Sequence, residues 1–525
     1  MKRIINIGIF ALILSACSES DSKPEIPPFE DQNIPLVDKM KLALSKDYIT
    51  SMGLPDSTLL YLESYYKLRN YSPRWINDST LTSEGEKLKK VISRSHEVSI
   101  PKTRLYKAST KNYIQDEINL TLSLSRIVCD IESGMIDFEN KKQKPKSFIP
   151  SKDFDQKIVF NSEEEIRSQF LKYGIQDSVY QTLGKGLIDF VDHYKLDTST
   201  FEIKSIKYDS IGAFDKTRIA LISKGYLKED VKDSTIIANS LAEFQKDNSL
   251  NPDAVIGKYT SIALNESTVH KMKRIIISMD RIRSQKARSG KFININIPEY
   301  KLRLYINDSL KSEHNIVTGK YENQTPELTS KLRKIVVYPY WNVPYSISSK
   351  EILPSVKRNV GYLEKHHYKI YKNKEEVDPR TVNWSKIKQN AFPYKVVQDP
   401  GKHNSLGILK FDFNNIHSVY FHDTPSKALF GADVRAYSHG CMRTQDPVDL
   451  AKKILERDEY RDKFNEMIPD SLDTLLNRGE NFEIKLLDPI PIFVEYRTVT
   501  AANDKMNLHI DIYGRDEEYI KILYQ

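Results

Sequence analysis

From about residue 36 to 205, apolar residues recur at three- and four-residue spacing, which predicts a mostly helical region. Leu124, Ile127, Val128 and Ile131 form one such stripe. Cys129 lies beside it with no neighbouring His or basic cluster, as expected of a buried structural thiol. Over 206–268 the pattern predicts a compact helical unit: Ile219 and Ile222, a Gly225-Tyr226-Leu227 turn, a helix over 234–247 and a last helix over 260–265. From about 291 the period shortens to two. Ile293, Ile295 and Ile297 share one strand face, with Asn294 and Asn296 on the other. Leu302, Leu304 and Ile306 repeat the alternation, and Asn307-Asp308-Ser309 supplies a turn. Residues 335–338 and 419–422 read as further strands. Asp446-Pro447-Val448-Asp449 predicts a helix start with Asp446 as N-cap, and strand-like stretches at 482–487, 492–496 and 508–512 end the chain.

Between about 345 and 400 the chain is polar, rich in Lys and Tyr, and poorly periodic. A connection of that length is expected to be functional, and it predicts a lid over a site. Its Tyr362, Lys365, Tyr368, Lys369 and Tyr371 are expected on a solvated surface. The fold class that follows is α+β. A helical N-terminal scaffold (36–205) and a small three-helix module (206–268) precede a mainly-β domain (285–525) with a capping insertion at about 345–400.

The start of the chain points to a compartment. Lys2 and Arg3 precede an apolar run over 4–14, too short to span a bilayer core that needs about 20 helical residues. A basic start, a short apolar stretch and small residues describe an export signal over 1–16. Leu14-Ser15-Ala16-Cys17 resembles the lipobox of bacterial lipoproteins, which implies lipidation of Cys17. Residues 17–35, rich in Ser, Glu, Asp and Pro, are then a flexible tether. The expected location is the bacterial cell envelope, as an exported lipoprotein facing the periplasm.

Composition adds mainly exclusions. A chain of 525 residues is too long for one ordinary core, and 10% aromatic residues with only 19 Gly fit packed domains, not low-complexity structure. The net charge of +8 is spread along the chain without a basic block, so no nucleic-acid partner is expected. Three cysteines cannot build a disulfide framework.

The candidate chemistry lies in Tyr420-Phe421-His422-Asp423-Thr424-Pro425 and Tyr437-Ser438-His439-Gly440-Cys441-Met442-Arg443. A cysteine nucleophile needs a nearby base or cation. His422 ends a strand and Cys441 is expected just before a helix, so the two can meet across neighbouring elements. The amides of Gly440 and Cys441 can face an oxyanion. Arg443 can hold a carboxylate or favour the thiolate. Tyr420 alternates onto the strand face of His422, and Arg435 is a nearby cation that the sequence does not place.

These residues resemble the L,D-transpeptidases of bacterial cell walls, the YkuD-type domain. Pro339-Tyr340-Trp341-Asn342-Val343-Pro344, Asn404-Ser405-Leu406-Gly407 and Arg69-Asn70-Tyr71-Ser72-Pro73-Arg74-Trp75 are similar to its large multidomain branch. Residues 206–268 resemble a three-helix peptidoglycan-binding module, with Ala254 where that family usually has Gly. The resemblance implies a transferase that forms 3→3 peptidoglycan cross-links on tetrapeptide stems, with release of D-alanine. It implies Cys441 as nucleophile, His422 as proton donor and acceptor, Gly440 as an oxyanion-hole residue, and the Asp423 carbonyl as orienter of His422. Substrate contacts are expected from Arg443, Tyr420, His439, Ser438 and Trp341. The implied partners are peptidoglycan stem peptides and glycan, with a membrane reached through Cys17. No metal or organic cofactor is implied.

Three rival readings remain at this point. His417, His422, His439 and Cys441 are zinc-ligand types, although the paired spacings of a structural zinc site are absent. The same nucleophile with water as acceptor makes an L,D-carboxypeptidase or cross-link hydrolase. A non-catalytic peptidoglycan-binding lipoprotein is the third.

Overall fold

The computed structural model describes residues 33–524 apart from 108–111, 139–144, 147–153, 157, 174, 176, 210–211, 230 and 457–468. The export signal, Cys17 and most of the tether lie outside the described residues. Among those described, no helix is long and apolar enough to cross a membrane. The chain divides into two compact units, 1–90 with 106–124, and 91–105 with 125–525.

The first unit holds helices α1 (Leu36–Ala43), α2 (Lys46–Ser51), α3 (Asp56–Lys67) and most of α4 (Ser83–Ser93). It also holds the short hairpin β1 (Ile76–Asn77) and β2 (Thr80–Leu81) and the front of α5 (Tyr113–Ser133). The unit turns on one buried carboxylate. Glu117 accepts from the Tyr66 hydroxyl at 2.9 Å and from the Arg74 and Trp75 amides at 2.9 and 2.7 Å. Burial nevertheless pushes its pKa up to about 7. The fully buried Trp75 donates its Nε1–H to Thr121 at 3.0 Å. The Arg69–Trp75 stretch singled out in the sequence is thus where the chain folds onto Glu117.

The second unit takes in the rear of α5 and continues with α6 (Glu163–Lys172) and α7 (Ser178–His193). Then come the three helices α8 (Gly212–Ser223), α9 (Ser234–Asp247) and α10 (Lys258–Asn265), and α11 (Thr268–Arg283). Gln245 ties α9 to the turn before α10. Its amide donates to the Val255 carbonyl and Thr260 at 3.1 Å, while its oxygen accepts the Ala254 amide at 2.8 Å. Ala254 takes φ +56°, the left-handed conformation suited to Gly. Helix α11 fills the gap left unassigned at 269–284 and is buried almost all round, charged residues included.

The β-rich part is a nine-stranded sheet built from β3 (Phe292–Asn296), β4 (Lys301–Ile306), β5 (Ser309–Gly319) and β6 (Leu328–Val337). The later members are β11 (Leu409–Phe413), β12 (Phe421–His422), β13 (Ala436–Ser438), β14 (Met442–Thr444) and β15 (Phe482–Glu495). The order is β13-β5-β14-β12-β11-β6-β15-β3-β4, and β5 also pairs with β4, so the sheet closes on itself. A single apolar cluster joins its inner face to the cores of α8–α10.

The insertion carries more regular structure than its weak periodicity suggests: a four-stranded sheet runs β7 (Trp341–Asn342), β10 (Lys395–Gln398), β8 (Tyr368–Lys372) and β9 (Glu375–Val377). It has its own core of Val343, Ile352, Leu353, Val356, Leu363, Ile370, Trp384, Phe392 and Val396. Strands of two to five residues leave too few repeats for a period to register, and the helical run over 345–358 passes through a π turn at Ser348–Ile352 that breaks the 3.6-residue spacing. Tyr362 and Tyr368 pack against that core instead of lying wholly in solvent.

Further corrections concern the end of the chain. The stretches at 482–487 and 492–496 are one strand, β15, with a register shift between Lys485 and Ile490. Residues 509–512 follow strand β17 (Lys505–Leu508), which pairs with β16 (Val499–Ala502), and the chain continues into a helix, Arg515–Tyr524. Asp446 does precede the helix Pro447–Leu455, but its φ is +47° and its side chain makes no cap bond. Asn294 and Asn296, expected on an open strand face, are buried and satisfied by Glu495 and by the Arg497 carbonyl.

Candidate active site

Strands β12 and β14 run parallel, with Phe421 opposite Met442 and His422 opposite Arg443. Phe421 and Met442 point into the core and are fully buried. Alternation therefore turns Tyr420, His422, Cys441 and Arg443 to the other face, as a two-by-two patch. Cys441 is followed by strand β14, not directly by a helix as the sequence suggested. The Met442 amide bonds the Tyr420 carbonyl at 3.0 Å, which sets Tyr420 beside Cys441. His422 stands diagonally from the thiol.

His422 is held from behind. Its Nδ1 lies 2.5 Å from the Asp423 carbonyl oxygen, so Nδ1 carries the proton and Nε2 is left as an acceptor. Burial holds its pKa down to about 3, against the pull of the Asp423 carbonyl and with the help of the nearby Arg443 and Lys410 charges. The imidazole is neutral at neutral pH. Asp423 is fixed in turn: its amide donates to the Leu409 carbonyl at 2.8 Å, and its carboxylate accepts from the Ile408 amide at 2.9 Å and from Lys427. Gly407, at φ +58°, makes room for that carboxylate, since a Cβ there would meet Asp423 Oδ2 at 2.2 Å.

Cys441 is partly buried. Burial pushes its thiol pKa up, while hydrogen bonding from Tyr420 and the charge of Lys410 act in the opposite direction. The Tyr420 phenol, itself pushed well above its ordinary range by burial, has Cys441 and Trp341 as hydrogen-bonding neighbours. Its ring centroid lies 5.6 Å from that of His422, and Lys410 Nζ sits 4.2 Å over its face. Arg443 makes no ion pair or side-chain hydrogen bond among the described residues, and burial lowers its pKa. A half-buried guanidinium without an internal partner can receive a carboxylate.

Gly440 needs its glycine for φ +113°, a backbone conformation costly for an L side chain. Its amide is not free to face an oxyanion, because it donates to Ser438 Oγ at 3.1 Å. Ser438 is buried and donates to the Cys441 carbonyl at 2.5 Å, so it braces the loop instead of facing substrate. No hydrogen bond to the Cys441 amide is found among the described residues, which makes that amide the oxyanion donor the geometry offers. His439 turns towards the insertion, where Nε2 lies 2.6 Å from Glu351 Oε1. Arg435 stays outside the patch: it donates to the carbonyls of Ile316, Ala432 and Tyr300 at 3.2, 2.9 and 3.2 Å. Among the described residues no three His, Cys, Asp or Glu side chains converge as metal ligands.

Lys410 and Glu351 escaped the sequence reading. Lys410 faces His422 across the antiparallel β11–β12 ladder. The alternation Leu409, Phe411, Phe413 puts Lys410 on the polar face, but only the register shows what lies opposite. Glu351 carries no signal at all in a segment without period.

A thiol, a neutral imidazole with a fixed tautomer, and a guanidinium without an ion-pair partner among the described residues thus share one strand ladder. Residues 290–462 match the L,D-transpeptidase catalytic domain family, YkuD, and residues 61–187 match a scaffold domain family. Residues 290–462 thus form a YkuD-type catalytic domain, the part of the chain that is similar to the L,D-transpeptidases. It is 33% identical over 227 residues to a Haemophilus influenzae protein assigned by name to the L,D-transpeptidases; the match covers 43% of this chain and 45% of that protein. The chain therefore spans under half the length of that relative. Crystal structures of L,D-transpeptidases from Xylanimonas cellulosilytica and Stackebrandtia nassauensis align at 11% and 13% identity. Each alignment covers 58% of this chain and 98% of the other, with a TM-score of 0.17, a likeness too slight to carry an argument.

Proposed function

We propose that the protein forms 3→3 cross-links in peptidoglycan through a thioacyl-enzyme on Cys441. The observation that carries this is the patch of Tyr420, His422, Cys441 and Arg443 on one face of two parallel strands, with His422 Nε2 open. Cys441 Sγ attacks the carbonyl of the third residue of a tetrapeptide stem, a diamino acid. Its proton passes to His422 Nε2 and then to the amine of the departing D-alanine. The oxyanion faces the Cys441 amide, and Arg443 receives a stem carboxylate. The side-chain amine of a second stem, deprotonated by His422, then attacks the thioester and frees the thiol. Export and lipidation at Cys17, with residues 18–35 as tether, would hold the enzyme in the cell envelope within reach of the wall.

The test is a mass-spectrometric analysis of tetrapeptide-containing wall fragments incubated with wild type and with Cys441→Ala. A Cys441-dependent tetrapeptide–tripeptide dimer is the expected product. Tripeptide alone makes the protein a carboxypeptidase, and no product in either sample overturns the catalytic reading.

A further inference from the structure

Away from the thiol, a cavity of about 750 Å³ opens between α7, the C-terminal ends of α8 and α9, the start of α11 and the β16–β17 hairpin. Its wall is graded by burial. Lys185, Asp189, Asp192, Asp504 and Lys505 form an exposed, mixed-charge rim. Lys224 and Lys271, also part of the lining, are 2% and 4% exposed. Buried ammonium groups are expensive unless a carboxylate neutralises them, and among the described residues neither lysine makes an ion pair.

Each lysine donates to a neutral oxygen, Lys224 to the Glu266 carbonyl and Lys271 to the Asn248 side chain at 2.8 Å, and each lies over a ring, Phe201 at 5.6 Å and Phe244 at 4.6 Å, so that neither meets a carboxylate directly. An ammonium has three donors, so both retain unspent N–H groups. The Glu266 carboxylate is close enough to act on both, but its oxygens are committed to His270 at 2.6 Å and to Arg274 at 2.8 Å. Asp247 is taken up by the Tyr226 hydroxyl at 2.7 Å, which accepts from Tyr194 at 2.9 Å. Burial accordingly pulls Lys224 down to about 8 and Lys271 to about 7. An anion between them would restore both charges. The adjoining Tyr194, Tyr226, Phe190 and Met506 offer an apolar wall beside that anion position, and the volume suits a small organic ligand.

We propose that this cavity is a second ligand site, taking the free carboxylate of a peptide onto Lys224 and Lys271. That the peptide is a wall stem rests on the function proposed above. Such a site would hold the enzyme on the wall through a stem it does not cut.

The test is amine acylation at neutral pH, read lysine by lysine by mass spectrometry, on the full chain carrying Cys441→Ala so that nothing turns over. Tetrapeptide wall fragments with free carboxylates should slow labelling of Lys271 and Lys224 at least several-fold, with the exposed Lys67 and Lys331, which line neither site, unaffected. Methyl esters of the same fragments should not. Equal labelling with and without fragments, or equal protection by the esters, overturns the proposal. Calorimetry adds a second reading: Lys271→Met should remove one of two binding sites and Lys271→Arg should keep both. Because the assay needs no catalysis, a chain that binds here without forming cross-links would pass this test and fail the previous one.

Discussion

Glu351 reaches out of the insertion and sets its Oε1 2.6 Å from Nε2 of His439, two residues before the thiol. The insertion is therefore fastened to the catalytic loop by a side chain of the motif itself. Both partners are more than a third exposed or close to it, at 52% and 36%. A pair so placed contributes no more than about 1 kcal/mol to stability. Glu351→Gln should leave the melting temperature nearly unchanged and raise KM several-fold with kcat preserved, as the insertion loses its fixed approach to the site. An unchanged KM would separate this contact from substrate handling.

Tyr420 is the thiol's neighbour across the ladder. Its hydrogen bonding acts against the burial that raises the Cys441 pKa, so Tyr420→Phe should raise that pKa further. A rise of one unit lowers the thiolate fraction at neutral pH about tenfold. Iodoacetamide alkylation of Cys441 against pH measures it directly. In the wild type the rate should still be climbing above the ordinary thiol range, and in the variant the whole curve should move to higher pH.

His422 links folding to acid. Its pKa, held at about 3 by burial, lies below the 6.5 of a free imidazole. Below pH 6.5 the unfolded chain takes a proton that the folded chain refuses. The stability due to the neutral ring is thus complete above pH 6.5 and is lost progressively as pH falls towards 3. Denaturant unfolding between pH 7 and 4 should show a shallower decline in His422→Gln than in wild type. Parallel declines would mean that the ring is not held neutral.

Ala254 sits at φ +56° in the turn before α10. A Cβ in that conformation costs about 1–2 kcal/mol, and Gly loses roughly 0.5–1 kcal/mol more chain entropy on folding. Ala254→Gly should stabilise the protein by about 0.5–1 kcal/mol, read as a higher melting temperature. The Gln245 bonds to Val255 and Thr260 hold the turn in shape without the glycine.

What could be read along the chain follows from the range of each cause. Helices α7 and α9 and strands β3 and β4 repeat their periods over enough residues to be visible. The candidate residues fall in two short motifs, 420–425 and 437–443, so Cys441, His422 and Arg443 can be named from the sequence, and the strand pairing then gives them a common face. Lys410 needed the register of β11 against β12, and the commitment of the Gly440 amide to Ser438 needed the loop's geometry. The insertion is hard to read because its strands hold too few repeats and its one longer helical run is interrupted by a π turn. The terminal helix Arg515–Tyr524 was hidden by the apolar residues just before it, which continue a strand-like alternation past the end of β17.

Gly440 is set from far along the chain. Thr325, fully buried, donates to the Gly440 carbonyl at 2.8 Å and accepts from the Gly319 amide at 2.9 Å. The Tyr513 hydroxyl fixes both, donating to the Gly319 carbonyl at 2.5 Å and accepting from the Thr325 amide at 3.2 Å. A nascent chain that has reached Cys441 has therefore not yet synthesised the residue that locks the loop around it, nor β15, which lies between β6 and β3 in the sheet. A product cut short after Cys441 would carry that cysteine without Tyr513 to hold Thr325 and Gly319, and so without part of the frame behind Gly440.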